Sequence, residues 1–455
     1  MVKNTLEMPE EILKFFSKEE NQTLLVKGAS GAGKTTFALK CLKLLAPPSC
    51  GIYYTAKANP QRTYSRYPWI KDILPPENII DASKTPHTLP RHRGGGREVL
   101  EYSFIPDYLR YSRMMVEEIK LSGQPFLVVD NFNLICKTLE ASPEMFAKDL
   151  IDIIQDSDVK AIIVSERGND VLEGMVDGVI EMTYELRDGR VFRKMFLRKL
   201  HGVEIETPVY HFTLNKGEFK CFPILDVGKV LKFMLKKPLQ LEGESFLDKM
   251  VDRLGVSSEA PILLIELNTN SVEEISHIFI SSIAATYLRK GYSGIITPMR
   301  SDNATRFLAS HTDISMKLSN IHFIYPKLEE RKDEKFPQNF IGTIQKSIDE
   351  LSSHSPIFLI LRYDLLREIV GDDTAKRILG DFSSKMAGDD ICIIITSYSN
   401  KIGGEELRKC CSSIIRIFEE HGRIFCYGEK PYTQIYGITF QEKENSIEIK
   451  FTPIT

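Results

Sequence analysis

The chain has 455 residues, more than one hydrophobic core usually serves, so we expect two domains. Its 42% hydrophobic and 27% charged residues and its net charge of −3 are ordinary for a folded protein in water and do not require a nucleic acid or an anionic membrane as partner. The apolar runs are too short to span a bilayer, and the eight cysteines lack metal-ligand spacing. We therefore expect a cytoplasmic protein with no membrane contact.

A glycine-rich segment follows the first predicted strand, Thr23–Lys27, which comes after a lead-in helix over Pro9–Lys18. It has the pattern G-x-x-x-x-G-K-T and precedes a helix over Phe37–Leu45, which is the context of a P-loop. Backbone N–H groups and the helix N-terminus bind phosphates in such a loop. The segment predicts binding of ATP with Mg²⁺ through Gly28, Ala29, Ser30, Gly31, Ala32, Gly33, Lys34, Thr35 and Thr36. Lys34 would reach the β- and γ-phosphates, and the Thr35 hydroxyl would hold the metal.

The chain continues with alternating strand and helix patterns. The predicted elements are a strand at Ile52–Thr55, a helical stretch near Gln61–Leu74, an edge strand at Asn78–Asp81, helices at Ile105–Leu121 and Pro143–Gln155, and strands at Phe126–Asp130 and Ala161–Ser165. Four apolar residues ending in Asp130 are typical of a Walker B strand, so we expect Asp130 to order Mg²⁺ beside the P-loop. Ser165 ends the next strand, where it would sense the γ-phosphate.

From Gly178 the apolar pattern changes to period two, which predicts antiparallel hairpins appended to a parallel sheet. The segments are Val179–Tyr184, Val191–Leu200, Val209–Leu214 and Glu218–Phe222. Strand–helix alternation with such an ending predicts an α/β domain: a mainly parallel sheet flanked by helices, with antiparallel hairpins at its end.

These motifs resemble the RecA superfamily of ATPases and, within it, the KaiC-like branch. The similarity to that branch lies in Val176–Glu181, Arg198–Gly202 and Val209–Phe212. Three further stretches are most similar to the GvpD family of gas-vesicle regulators: Tyr54–Lys57, Tyr67–Trp69 and Ile79–Ala82. The resemblance covers residues 1–225 and implies a RecA-like fold, an archaeal source, a regulatory role toward a protein partner and a site that can lie between the subunits of a homo-oligomer.

Two departures from the RecA pattern predict slow hydrolysis. RecA-type ATPases carry a glutamate at the end of the second strand, but Thr55, Ala56 and Lys57 stand here. KaiC-like rings place Lys-x-Arg on the closing hairpin against the neighbour's γ-phosphate, whereas this chain has Lys199 and His201 at those positions. An arginine supplied in trans is worth about 10³–10⁵ in rate in GTPases. We therefore expect a slow ATPase at most, with nucleotide acting mainly as a switch.

Glu166 follows the strand that ends at Ser165 and is the acid nearest the expected site, so it is a candidate general base. The alternative is a solvated loop carboxylate.

The second half repeats the alternation and predicts a degenerate second RecA-like copy. Its predicted strands are Ile262–Leu267, Ile295–Thr297, Ile321–Tyr325, Ile357–Leu361 and Ile391–Thr396, with helices near Val272–Lys290, Ile341–Leu351 and Thr374–Met386, and closing segments at Ile414–Phe418, Gln434–Phe440 and Ser446–Phe451. The P-loop position has Asn268–Val272, without glycine or lysine, and the Walker B position has Leu361–Asp364. An unrelated α/β domain is the alternative.

The predicted fold is thus two tandem RecA-like domains. They comprise an ATP-binding domain over 1–225, a lysine-rich helical linker over 226–258 and a domain without a P-loop over 259–455.

Three functions fit this sequence. The first is an ATP-responsive regulatory protein that reports to a protein partner. The second is a DNA-binding recombination or repair accessory ATPase, for which the basic segment Arg91–Arg97 would bind the DNA backbone. A surface loop that closes over the site is the favoured interpretation of that segment, and binding of nucleotide or an acidic partner is a further alternative. The third is an active KaiC-like ATPase.

Overall fold

The computed structural model describes residues 7–18, 20–56, 59–82, 107–121, 123–166, 168, 170–234, 239–241, 262–297, 320–324, 335–353, 355–385, 390–397, 404–443 and 447–455. The basic segment Arg91–Arg97 and Lys57 lie outside these residues. The chain forms two compact units. The first unit runs to Phe222 and includes Ile454–Thr455, and the second unit runs from Pro223 to Pro453. Nowhere in the described ranges is there a helix with the length and apolar character that crossing a membrane requires.

The first unit contains a nine-stranded sheet and helices. Its described helices are α1 Glu10–Phe16, α2 Lys34–Leu45, α3 Pro60–Arg66, α4 Asp107–Lys120, α5 Phe132–Thr138, α6 Pro143–Asp156 and α7 Asp170–Glu173. Its strands are β1 Thr23–Gly28, β2 Gly51–Thr55, β3 Ile79–Asp81, β4 Phe126–Asp130, β5 Lys160–Ser165, β6 Gly178–Arg187, β7 Arg190–Leu200, β8 Val209–Thr213 and β9 Lys220–Cys221. They are ordered β3-β2-β4-β5-β1-β6-β7-β8-β9.

The strands from β3 to β6 are parallel, and β7, β8 and β9 add to them in antiparallel fashion. This confirms the predicted parallel sheet with hairpins at its end. Strands β1, β2, β4 and β5 are almost wholly buried because apolar side chains cover both faces of the sheet. Neighbouring residues on β2 show this: Tyr53 belongs to one core cluster and Tyr54 to the other.

The second unit contains a ten-stranded sheet. Its described helices are α8 Val227–Met234, α9 Val272–Arg289, α10 Phe336–Ser352, α11 Tyr363–Val370, α12 Asp372–Lys385 and α13 Gly404–Cys410. Its strands are β10 Leu239–Leu241, β11 Ile262–Asn268, β12 Ser293–Thr297, β13 Ile321–Phe323, β14 Ile357–Arg362, β15 Ile391–Ser397, β16 Ser413–Glu420, β17 Arg423–Lys430, β18 Tyr436–Glu442 and β19 Ile447–Pro453.

One prediction for this half needs correction, and one strand was missed. Among the described residues, the helix that begins at Val227 ends at Met234. Leu239–Leu241 instead forms a strand that pairs in parallel with β19. The helical prediction is therefore wrong at β10. Strand β17 was not predicted, although it is the antiparallel partner of β16.

The two sheets share one strand order. Read from β13, the second sheet runs β13-β12-β14-β15-β11-β16-β17-β18-β19-β10, which repeats the order of the first sheet and adds β10 at the end. Both sheets also have a register shift at the start of the first antiparallel pair, after Val179 in β6 and after Ile414 in β16. The chain is therefore two tandem copies of one α/β fold of the RecA type.

The shared register shift identifies equivalent residues in the two copies. Taking Val179 as equivalent to Ile414, the pairing with the neighbouring strands makes Lys27 of β1 equivalent to Glu266 of β11. The same comparison extends through β5 and β15 to the Walker B strand β4 and its counterpart β14, where Asp130 corresponds to Arg362.

A hydrogen bond from a lysine side chain to a backbone carbonyl occurs at equivalent positions in both copies. Lys199 Nζ donates to the carbonyl oxygen of Val176 at 2.6 Å, and Lys430 Nζ donates to that of Cys411 at 2.7 Å. Val179 lies opposite Lys199, and Ile414 lies opposite Lys430. This lysine therefore ties the second hairpin strand to the segment before the first, independently of a P-loop.

Another contact is kept with its charges exchanged. In the first unit Lys27 forms an ion pair with Glu173 of α7. In the second unit Glu266 pairs with Arg408 of α13, at 3.0 Å. Both copies thus have an ion pair between the first strand and this helix, but the cation is on the strand in one copy and on the helix in the other. The attraction between opposite charges is the same in either arrangement.

Candidate nucleotide site

The loop between β1 and α2 has the backbone that a phosphate-binding loop needs. Gly28, Gly31 and Gly33 have φ angles of 155°, 79° and 96°, which side-chain-bearing residues rarely adopt. A Cβ added at Gly28 would lie 2.1 Å from the carbonyl oxygen of Met182 on β6. The glycines are therefore required both by the backbone turn and by the close approach of the neighbouring strand.

Lys34 begins α2 and folds back over this loop. Its Nζ donates to the carbonyl oxygens of Gly28 at 2.6 Å and Ala29 at 2.7 Å, and the residue is buried. The ammonium group is thus held at the start of the loop by backbone acceptors. In that position it can interact with an anion bound in the loop.

The Walker B aspartate meets the P-loop helix directly. Asp130 Oδ2 accepts hydrogen bonds from the Thr35 hydroxyl at 2.7 Å and from the Tyr53 hydroxyl at 2.9 Å. Asp130 is 1% exposed, and its Oδ1 has no hydrogen-bond partner among the described residues. A buried carboxylate oxygen without a partner is costly, and a cation or a metal-bound water would satisfy it. The donor set, a threonine hydroxyl beside a carboxylate, suits Mg²⁺.

Tyr53 shares the Asp130 carboxylate from the neighbouring strand. Thr55 of β2 pairs with Asp130, so Tyr53, two residues earlier, lies on the same side of the sheet as Thr55. Burial, and then the nearby Asp130 charge, raise the pKa of Tyr53 well above its usual value. The phenol therefore stays protonated and donates to the carboxylate.

These groups border a cavity of about 780 Å³. Its lining comprises Ser30, Gly31, Gly33, Lys34, Thr35, Thr36, Tyr53, Arg62, Thr63, Ser65, Arg66, Tyr67, Asp130, Asn131, Glu166 and Leu214. The volume is in the range of small-molecule and cofactor sites. Much of the predicted P-loop thus lines one cavity with Asp130. Ala32 is instead fully buried in the core.

Ser165 is not one of the residues that line the cavity. It is fully buried, and its hydroxyl donates to Asn133 Oδ1 at 2.8 Å. The same amide oxygen accepts the backbone N–H of Glu166 at 3.0 Å. Glu166 in turn lines the cavity and accepts from Asn131 Nδ2 at 3.3 Å. This arrangement gives Ser165 a role in fixing the segment that carries Glu166.

The two hairpin candidates lie elsewhere in the first unit. Lys199 Nζ donates to the carbonyl oxygens of Val176 and Glu173 at 2.6 Å and 3.3 Å. His201 is exposed, with its Nδ1 3.9 Å from a carboxylate oxygen of Asp177. Lys199 therefore has a structural role in its own unit, and Lys430 repeats it in the second unit. Contact of either residue with a neighbouring subunit stays a prediction.

Sequence reasoning missed several residues of the site. Tyr53, Asn131, Arg62 and Arg66 line the cavity, and Asn133 fixes its edge. Asn131 directly follows the Walker B strand and Asn133 comes two residues later, in the first turn of α5. This closeness to the strand end was the available signal, because polar residues at the carboxyl ends of parallel strands lie at one edge of the sheet.

The equivalent position in the second unit holds an ion cluster. Arg362 ends β14 as Asp130 ends β4, and it is 4% exposed. Its guanidinium donates to Glu273 at 3.2 Å, the second residue of α9, as Thr35 is the second residue of α2. It also donates to Asp364 at 3.1 Å. A guanidinium between two carboxylates thus replaces the hydroxyl–carboxylate pair of the first unit.

The fold and the site define the class of the protein. The sheet has the strand order of the RecA fold, and its first strand is followed by a G-x-x-x-x-G-K-T loop and a helix. The Walker B aspartate accepts a hydrogen bond from that helix. The first unit is therefore a P-loop ATPase domain of the RecA type.

Comparison with known proteins narrows this class. Residues 12–200 match the family model described as GvpD gas vesicle protein, P-loop domain. Protein GvpD2 of Halobacterium salinarum is 24% identical over 487 aligned positions, which cover 98% of this chain and 96% of that protein. Protein GvpD1 of the same organism is 24% identical over 214 positions, 47% of this chain and 40% of that protein. The first unit is therefore similar in sequence to the P-loop domain of the GvpD proteins, and the similarity to Protein GvpD2 extends over nearly the whole chain.

Among solved structures, the KaiC-like protein PH0186 from Pyrococcus horikoshii OT3 is similar to part of the chain. It shows 20% sequence identity and a TM-score of 0.35, covering 45% of this chain and 90% of that one.

Proposed function

We propose that the first unit binds ATP with Mg²⁺ and that nucleotide occupancy acts as a switch read by a protein partner, with weak hydrolysis at most. The observation that carries the proposal is the Asp130 carboxylate. Asp130 lines the P-loop cavity, is bonded to Thr35 of the P-loop helix, and has one buried oxygen without a partner among the described residues. Bound Mg²⁺ would supply a charge that binds the β- and γ-phosphate oxygens, with Thr35 and Asp130 holding it.

Weak hydrolysis follows from the groups around the cavity. The residues at the carboxyl end of β2 that the structure describes are Thr55, which is fully buried, and Ala56, and neither can accept a proton from water. The Lys199 ammonium group donates hydrogen bonds to two backbone carbonyls and does not line the cavity. Glu166 is the carboxylate that lines the cavity besides Asp130 and is our candidate base, held by Asn131.

We propose that the second unit is a scaffold without nucleotide binding. Arg362 places a positive charge where the first unit has the metal-binding aspartate, and the segment before α9 has neither the glycines nor the lysine of a P-loop. A metal–nucleotide complex would meet a buried cation that is already neutralised by Glu273 and Asp364.

The relatives motivate the regulatory part. The matching family is a gas vesicle protein family, and this chain covers nearly the whole of Protein GvpD2. We propose a cytoplasmic protein that reports to a protein partner and can self-associate, because the sequence of its closing hairpins resembles that of the ring-forming KaiC-like branch. DNA binding is not favoured, because one short basic segment on a chain of net charge −3 gives it little support.

Calorimetric titration of the full chain tests the proposal. We expect Mg-dependent binding of ATP, with one nucleotide per chain because only the first unit carries a P-loop. The Lys34→Ala variant should lose at least about tenfold in affinity, since a charge-assisted contact to phosphate is removed. A matched control is Lys148→Ala, on the exposed face of α6.

Equal affinity in the Lys34→Ala variant, or binding that is indifferent to Mg²⁺, would contradict the proposal. Two nucleotides per chain would contradict the scaffold role of the second unit.

A further inference from the structure

Helix α3 carries two arginines that line the nucleotide cavity, Arg62 and Arg66. They are four residues apart, so their side chains lie on one face of the helix. Both are exposed, and neither forms an ion pair with a carboxylate of the described residues. Exposed guanidinium groups at the wall of a P-loop cavity are well suited to bind phosphate oxygens, often in a bidentate manner.

Other cations around the loop are already engaged. Lys27 pairs with Glu173, and Lys199 donates to backbone carbonyls. Arg193 donates to the carbonyl oxygen of Gly31 at 2.9 Å. Among the described residues, the α3 arginines therefore differ from these cations in having no carboxylate or P-loop carbonyl to hold them, although Arg66 interacts with the Tyr67 hydroxyl.

The position of α3 relative to the P-loop is fixed by side-chain contacts. The helix follows β2, whose last residue Thr55 pairs with Asp130. At its other end the Tyr67 hydroxyl lies 3.4 Å from that of Thr36 on α2. Trp69 Nε1 also donates to a backbone carbonyl of the β8–β9 turn at 3.1 Å. The end of the helix that carries Arg66 thus lies near Thr36, and Arg62 lies one helical turn earlier on the same face.

The charges of the cavity match a metal–triphosphate complex. Its lining has the cations Lys34, Arg62 and Arg66 and the carboxylates Asp130 and Glu166. The cavity is therefore net positive, and an ATP–Mg²⁺ complex is net negative.

We propose that α3 supplies the phosphate-binding arginines of this site from within the same chain. Arg62 binds the terminal phosphate of a nucleoside triphosphate, and Arg66 binds the inner phosphates. These residues report the presence of the γ-phosphate without an arginine from a neighbouring subunit. The inference rests on the proposed function, because it assumes that the P-loop cavity holds a nucleotide.

The test compares triphosphate and diphosphate affinity in the full chain. A non-hydrolysable ATP analogue and ADP, each with Mg²⁺, are titrated into the unaltered protein and into Arg62→Ala, Arg66→Ala and Lys71→Ala. Lys71 is an exposed cation shortly after α3 and does not line the cavity. We expect Arg62→Ala to weaken triphosphate binding about tenfold and diphosphate binding by less than about threefold, because a hydrogen bond to a charged group is lost only with the γ-phosphate present.

Further readouts separate binding from a structural role. Arg66→Ala should weaken both nucleotides, and Lys71→Ala neither. Arg62→Lys should keep part of the triphosphate preference, since it retains the charge but not the bidentate geometry. The thermal midpoint of each ligand-free variant should equal that of the unaltered protein.

Equal triphosphate affinity in Arg62→Ala and the unaltered protein would overturn the inference, as would an equal loss for both nucleotides. Undiminished binding by Lys34→Ala would instead overturn the proposed function, so the two failures can be distinguished.

Discussion

Replacing Asp130 with asparagine separates the metal-binding role of this residue from its place in the core. The amide oxygen can keep both hydroxyl donors, Thr35 and Tyr53, at 2.7 Å and 2.9 Å, while the NH₂ group takes the place of the unpartnered Oδ1. The NH₂ group then stands where Oδ1 had no partner among the described residues, so the variant exchanges one unsatisfied buried polar group for another. We therefore expect the stability of the ligand-free protein to change by less than about 1 kcal/mol.

The same change should remove most of the stabilisation by nucleotide. At a concentration of about 100 times Kd, a ligand stabilises by about 2.7 kcal/mol. For a unit of this size, each kcal/mol of stabilisation raises the thermal midpoint by about 2–4 °C, so bound nucleotide should raise it by about 5–10 °C. Loss of a group that orders a metal through water weakens metal binding by about 10–100-fold. At the same ligand concentration the variant should show at most about half of the shift.

The assay is thermal unfolding of the full chain, with and without Mg²⁺ and ATP, followed by circular dichroism. Asp152→Asn is the matched control, because Asp152 is exposed on α6. A full nucleotide-dependent shift in Asp130→Asn would refute the metal-binding role. A ligand-free midpoint several degrees lower would show that the carboxylate stabilises the fold.

Three further predictions concern particular residues. Arg362→Ala should destabilise the second unit by about 1–3 kcal/mol, because it removes the buried guanidinium that pairs with the partly exposed Asp364 and Glu273. Arg377→Ala, at an exposed site, should not, and urea unfolding checks both variants. Gly28→Ala should abolish nucleotide binding and lower the unfolding midpoint, since its Cβ would meet a strand carbonyl at 2.1 Å. Cys410 is exposed, whereas burial raises the pKa of Cys411 to about 12, so a thiol reagent at pH 8 should label Cys410 at least about a hundredfold faster. Because that pKa is raised in the folded state, its contribution to stability is present at neutral pH and should be lost as the pH rises above about 9, where the unfolded thiol ionises.

The sequence predicted the parts of the site that depend on local spacing. The P-loop pattern and the apolar strand ending in Asp130 are each contiguous, so their chemistry could be read without a structure. Tyr53 and the arginines of α3 could not be found in this way, because their relation to Asp130 arises from strand pairing and from the path of the chain after β2.

The second unit shows the same limit. Its buried strands are apolar runs and were predicted, but β10 is three residues long and owes its pairing to β19, far along the chain. Strand β17 is buried continuously from Arg423 to Gly428, so it lacks the period-two alternation that predicted the other antiparallel strands. The loss of the P-loop was visible at Asn268–Val272, whereas the ion pair of Arg362 with Glu273 joins residues from distant segments.

The most direct test of the account is a single-turnover measurement with the full chain and less than one equivalent of ATP and Mg²⁺. Bound nucleotide is recovered over time and identified as ATP or ADP. We predict that it stays bound and is converted at least about a thousandfold more slowly than the roughly 10 per second typical of enzymes. The Lys34→Ala protein should retain no nucleotide. Failure of the unaltered protein to retain ATP, or conversion at an ordinary enzymatic rate that depends on Lys34, would contradict the account.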